Sequence, residues 1–220
     1  MIAKRFYILA GIVIVVSVFV SGIFSIFENV QVDDFKPAFI AFLLDSSDKN
    51  QKLETQKKFI KQFCSTLDPD DRIKILQVSG DSYLIYEGSP QNLNGIKKSL
   101  DVHTKDIKNT KGTTYDKAIK KAVQHCLVMK KNGYVPSIVV IGDIENGGKS
   151  LIDWNTLPKN IKKTLKYMPD LSISFLWAEP KGLDTAKLKL TPVLGENQLI
   201  VSTELTVDKA SRKILKALGR

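Results

Sequence analysis

The chain has 220 residues, 43% hydrophobic and 25% charged, which excludes an intrinsically disordered protein and leaves room for one well-buried domain after an N-terminal apolar segment. Lys and Arg total 33 against 23 Asp and Glu, a formal net charge of +10, but the basic residues form no tight block and no aromatics interleave with them. That argues against nucleic-acid binding and for a solvated basic surface, with attraction to anionic lipid headgroups as the alternative.

Residues 1–5 read as a short cytoplasmic tip. Phe6 to Phe27 carry no charge, about 22 residues or roughly 33 Å as a helix, which fits the hydrocarbon core of a bilayer. Lys4 and Arg5 precede this run; Glu28, Asp33 and Asp34 follow it. The positive-inside bias therefore puts the N-terminus in the cytoplasm and the rest outside it, periplasmic or extracellular. A cleaved signal peptide would have an apolar region of roughly 7–15 residues, shorter than this one. Ser21-Gly22 offers no good A-x-A-like cleavage site, so an uncleaved anchor is expected. Residues 28–36 form a polar linker, and 37–220 the exported domain.

The domain alternates between two periodicities. Ala38 to Leu44 is a continuous apolar run ending at Asp45, which suits a strand buried on both faces. Leu53, Ile60, Phe63, Cys64 and Leu67 recur at helical spacing until Asp68-Pro69-Asp70-Asp71. Ile73 to Val78 and Tyr83 to Tyr86 predict a hairpin around Ser79-Gly80-Asp81. A short helix is expected over Leu93 to Leu100. A longer one follows with Ala118, Ile119, Ala122, Val123, Cys126 and Leu127 on one face, ending near Asn132-Gly133. Ile138 to Ile141 predicts a buried strand, Ile161 to Tyr167 a helix, Leu171 to Trp177 a strand, and Gln198 to Val201 a weak sixth strand. Val207, Ala210, Ile214 and Leu218 predict a closing helix, with Thr206 as N-cap and Gly219 beyond its end. Residues 178–196, with Pro180, Gly182, Pro192 and Gly195, fit either a helix or a loop. The whole predicts an α/β fold: a doubly wound, mostly parallel six-stranded sheet with helices on both faces, preceded by one transmembrane helix.

Cys64 and Cys126 fall on two different helices and make no disulfide framework, although a single bridge is left open. His103 and His125 lack ligand-spaced neighbours, so zinc is not expected.

In such sheets ligands bind beyond the carboxyl ends of the strands. Three loops lie there: Asp45-Ser46-Ser47-Asp48-Lys49, Gly112-Thr113-Thr114 and Asp143-Ile144-Glu145-Asn146. Carboxylates and hydroxyls from such loops are hard oxygen ligands that suit Mg²⁺ or Mn²⁺. The same residues also serve as ordinary turn-formers and helix caps.

A strand leading into D-x-S-x-S, a later G-T before an amphipathic helix, and a strand leading into T-D-G is the pattern of the von Willebrand factor A family. Residues 38 to about 218 resemble it: Phe42-Leu43-Leu44-Asp45-Ser46-Ser47-Asp48-Lys49, Lys111-Gly112-Thr113-Thr114-Tyr115-Asp116-Lys117-Ala118 and Ile138-Val139-Val140-Ile141-Gly142-Asp143-Ile144-Glu145 match in order, spacing and strand context. The resemblance implies a metal-ion-dependent adhesion site of Asp45, Ser47, Thr113 and Asp143, with Thr114 the alternative if the register slips by one. It implies binding to a protein partner, whose acidic side chain completes the metal shell, and no enzymatic activity.

The departures are Lys49 at the second Ser, Gly142 where Thr is usual and Ile144 where Gly is usual. A protonated ammonium offers no lone pair and repels a cation. Lys49 therefore either swings away and leaves Mg or Mn weakly held, or lies among the carboxylates in the metal's place. Asp48 reads as an N-cap. The alternatives in function are a metal-dependent phosphohydrolase using the same rim, for which no catalytic base stands out, and a metal-free scaffold acting through its basic surface. Gly147-Gly148-Lys149-Ser150 resembles a phosphate-binding loop, but Asp143 occupies the position of its first Gly.

Overall fold

The computed structural model describes residues 35–46, 52–79, 81–104, 115–146, 149–150, 152–203 and 207–220. Among these, no helix is long and apolar enough to cross a membrane, and the apolar run Phe6 to Phe27 lies outside them.

Strands β1 (Ala38–Asp45), β2 (Arg72–Ser79), β3 (Asp81–Gly88), β4 (Val135–Ile141), β7 (Ser172–Leu176) and β8 (Leu199–Ser202) form one sheet in the order β3-β2-β1-β4-β7-β8. Only β3 runs antiparallel, as the second arm of a hairpin with β2, and their register shifts between Ile75 and Leu76. β1 is central, paired parallel with β2 on one side and β4 on the other.

Alternation along β1 feeds two cores. Phe39, Ala41 and Leu43 face helices α3 (Tyr115–Lys131), α4 (Leu157–Leu165) and α5 (Pro180–Leu194). Ala38, Ile40, Phe42 and Leu44 face α1 (Leu53–Cys64), α2 (Leu93–His103) and α6 (Val207–Ala217). Every β1 residue is buried, as a strand covered on both faces requires. Cys64 and Cys126 are both free and belong to opposite cores, so no bridge joins them.

The stretch 178–196 is a helix over most of its length. Pro180 occupies the first turn of α5, where its missing N–H costs nothing, and Gly195 at φ 75° ends the helix. α4 starts four residues before Ile161, because Pro158 likewise sits in its first turn. A two-stranded ribbon, β5 (Glu145–Asn146) with β6 (Lys149–Ser150), follows β4 and was not expected from the pattern.

The amino ends of the strands are pinned by Asp71, which is fully buried. Its carboxylate accepts the N–H of Ala38 at 2.7 Å and of Asp68 at 2.8 Å. It also receives both guanidinium nitrogens of Arg220, at 2.8 and 2.6 Å. Arg220 pairs with Asp68 as well, at 2.9 Å.

Candidate functional site

Asp45 closes β1, and Gly142 and Asp143 follow β4. Because Leu44 is level with Ile141, the two loops leave the sheet side by side at its carboxyl rim. Their closeness depends on Gly142. A Cβ there would lie 2.4 Å from the Cβ of Asp45 and 2.5 Å from the hydroxyl of Tyr115, and its φ of +144° also favours glycine. Its N–H donates to the carbonyl of Leu176 at 3.0 Å, which ties the third loop to the end of β7.

Tyr115 begins α3 and is fully buried beneath the rim. Its hydroxyl faces the Asp45 carboxylate without completing a hydrogen bond of regular geometry. Burial first, then the charges of Asp45 and Asp143, hold the phenol well above its ordinary pKa. One neutral phenol thus senses both carboxylates, and this places Asp45 and Asp143 in one electrostatic neighbourhood. Asp45 is only 4% exposed, while Asp143 is half-buried.

The start of α3 is latched to the next loop. Asp116 accepts the N–H of Asp153 at 2.9 Å, and burial raises the Asp116 carboxyl. Asp153 in turn accepts the Thr156 hydroxyl at 2.8 Å and the Asn155 N–H at 2.9 Å, which lowers its own carboxyl pKa. Trp177, just past β7, takes φ 61°, the one non-glycine positive φ among the described residues. Such a left-handed residue costs about 1–2 kcal/mol. The Trp177 N–H donates to the Ser202 carbonyl at 3.1 Å, and its indole meets Phe59 edge-on at 5.1 Å.

Of the four residues expected to hold a metal, Asp45 and Asp143 are therefore brought together. Ser47 and Thr113 lie outside the described residues, as do Asp48, Lys49 and Thr114. Among the described residues no three His, Cys, Asp or Glu side chains converge. A cation at this rim would thus draw on hydroxyl oxygens besides the two carboxylates, and such an all-oxygen set fits Mg²⁺ or Mn²⁺. Sequence reasoning did not single out Tyr115 or Trp177. The one sits at an apolar helix position and the other inside an apolar run, so neither breaks its local pattern.

The doubly wound, mostly parallel six-stranded sheet, with Asp45 and Asp143 at its carboxyl rim, defines an α/β domain. A sequence profile of the von Willebrand factor type A domain matches residues 40–169, and the chain belongs to that family. No curated protein sequence matches the chain. The fold is shared with BatB from Bacteroides thetaiotaomicron, 17% identical, with a TM-score of 0.59 over 84% of this chain and 100% of that one. It is shared with an aerotolerance-related membrane protein from Bacteroides fragilis, 16% identical, with a TM-score of 0.57 over 83% of this chain and 98% of that one. The SpRpn10 VWA domain, 12% identical, gives a TM-score of 0.57 over 81% of this chain and 94% of that one. Domains of this family are generally protein-interaction modules rather than enzymes.

Proposed function

We propose that this chain is a membrane-tethered interaction module that engages a protein partner at the carboxyl rim of its sheet. Asp45, Ser47, Thr113 and Asp143 would hold Mg²⁺ or Mn²⁺ there, with affinity reduced by Lys49. The cation would supply a Lewis-acidic position for an acidic side chain of the partner. The observation that carries this reading is the convergence of Asp45 and Asp143 over the buried phenol of Tyr115, at a point where Gly142 lets the two loops touch. Two carboxylates held close in a poorly solvated place oppose each other's charge, and a shared cation relieves that opposition. The apolar run Phe6 to Phe27 would anchor the module with its N-terminus in the cytoplasm, leaving the rim in the periplasm or outside the cell. The related fold from Bacteroides fragilis is that of a membrane protein, which is in keeping with such a tether.

Lys49 and the net charge of +10 favour a second reading, a scaffold in which the ammonium stands in for the metal and partners are met without one. Calorimetric titration of the full chain in a mild non-ionic detergent separates the two. The metal reading expects Mn²⁺ binding in the millimolar range, lost in Asp143→Ala and strengthened at least tenfold in Lys49→Ser. No binding to the wild-type chain, with binding created by Lys49→Ser, would establish the metal-free scaffold. An Asp143→Ala variant that binds as well as wild type would overturn the rim site.

A further inference from the structure

β8 ends the sheet, and its outer edge lines a groove of about 740 Å³ between α5 and α6. The register fixes which backbone groups point into that groove. Ile173 donates to the carbonyl of Gln198 at 2.8 Å, and Trp177 to that of Ser202 at 3.1 Å. With Ile173 level with Leu199 and Phe175 level with Val201, residues 198, 200 and 202 turn toward β7. Leu199 and Val201 turn outward. The Leu199 N–H is taken by the Gly195 carbonyl at 3.2 Å, which leaves the Leu199 carbonyl and both backbone groups of Val201 on the outer edge. Lys187, Lys213 and Lys216 line this groove, and among the described residues Glu196 is the one acidic side chain with them.

We propose that this edge binds an extended acidic segment of a protein partner by strand addition, a second interaction surface separate from the rim. Strand addition takes affinity from main-chain hydrogen bonds and specificity from flanking side chains. Here the outward main-chain groups are the Leu199 carbonyl and the N–H and carbonyl of Val201, and the flanking side chains are mostly ammonium groups. Their charge also decides against a second copy of this chain, because edge-to-edge pairing would bring two sets of three lysines together. Lysines at an edge are a common guard against self-pairing. Around a groove of this size they reject a like-charged strand and admit an acidic one.

The test uses the full chain in non-ionic detergent and a fluorescein-labelled heptapeptide of alternating Glu and Val, followed by anisotropy. A peptide with Lys in place of Glu serves as control. The proposal expects saturable binding of the acidic peptide only, and new protection of the Val201 amide against hydrogen exchange. Val201→Pro removes an outward N–H and no ladder bond, so the sheet should survive while affinity falls at least tenfold. Lys213→Glu combined with Lys216→Glu should lower affinity equally without touching the backbone, and decides the matter should the proline variant misfold. Asp143→Ala should bind the peptide as wild type does, which keeps the edge distinct from the rim. Absence of binding at millimolar peptide, or full affinity in a folded Val201→Pro, would overturn strand addition. A concentration-dependent dimer abolished by Val201→Pro would show instead that the edge receives a second copy.

Discussion

Asp71 and Asp45 are both buried aspartates, one just before β2 and the other at the end of β1, yet the fold treats them differently. Asp71 accepts two backbone N–H groups and a two-pronged guanidinium, so its charge is answered entirely from within the chain. Asp45 faces a neutral phenol and lies in the same neighbourhood as a second carboxylate. An acid that serves the fold is saturated by donors. Asp45 stands instead beside a phenol and near a second carboxylate, at the end of its strand where Gly142 brings the next loop against it.

The largest effect should come from breaking the saturated end. Asp71→Ala strands two backbone N–H groups and leaves the Arg220 guanidinium only the exposed Asp68 and the Lys36 carbonyl, and should cost about 3–5 kcal/mol in denaturant unfolding. At the rim, Gly142→Ala forces a methyl into Asp45 and Tyr115 at a φ that L-residues avoid, and should cost about 2–3 kcal/mol. A loss under ~1 kcal/mol would mean that the two loops are not in tight contact.

A third treatment of a buried acid is to keep it neutral, and Cys64 shows it. Burial pushes its thiol up from 9.0 to about 12, and raises Cys126 in the same direction. The unfolded chain releases that proton near pH 9 while the folded chain retains it. Stability is therefore intact below pH 9 and falls as pH rises toward 12, by up to about 1.4 kcal/mol per pH unit for each thiol. Unfolding measured at pH 8 and pH 10 should show this slope, and Cys64→Ala should remove one thiol's share of it. The smallest effect is expected from Tyr115→Phe. Deleting a buried hydroxyl that makes no regular hydrogen bond should leave thermal stability unchanged or raise it by up to ~1 kcal/mol. A clear loss would show that the phenol is bonded to Asp45.

Much of this was legible in the residues. The apolar runs Ala38 to Leu44 in β1 and Ile138 to Ile141 in β4 announce strands with two covered faces, and the stripe from Ala118 to Cys126 announces α3, because burial on a fixed face imposes a period. α5 was not legible, since Pro180, Gly182, Pro192 and Gly195 punctuate it; whether proline opens a helix or breaks it depends on where the turn begins. The ribbon β5–β6 is only two residues on each side, too short for any period. At the rim, Asp45 and Asp143 follow strands in a fixed pattern, and both could be placed. Tyr115 and Trp177 could not: one reads as a helix-face aromatic and the other as the end of an apolar run. Their significance lies in a buried hydroxyl and a backbone angle, neither of which is written in a hydrophobicity pattern.

The Arg220 clamp has a mechanical consequence. A pull applied at Lys36 reaches the sheet through the first residue of β1, a strand paired on both sides with parallel neighbours from Phe39 to Leu44. Drawn along its own axis, β1 must slide past both at once, so its ladder bonds resist together rather than unzipping one after another. The guanidinium of Arg220 also donates to the Lys36 carbonyl at 3.3 Å while gripping Asp71. The point of loading is thereby fastened to Arg220, and the first event under tension should be release of its guanidinium, before any strand moves.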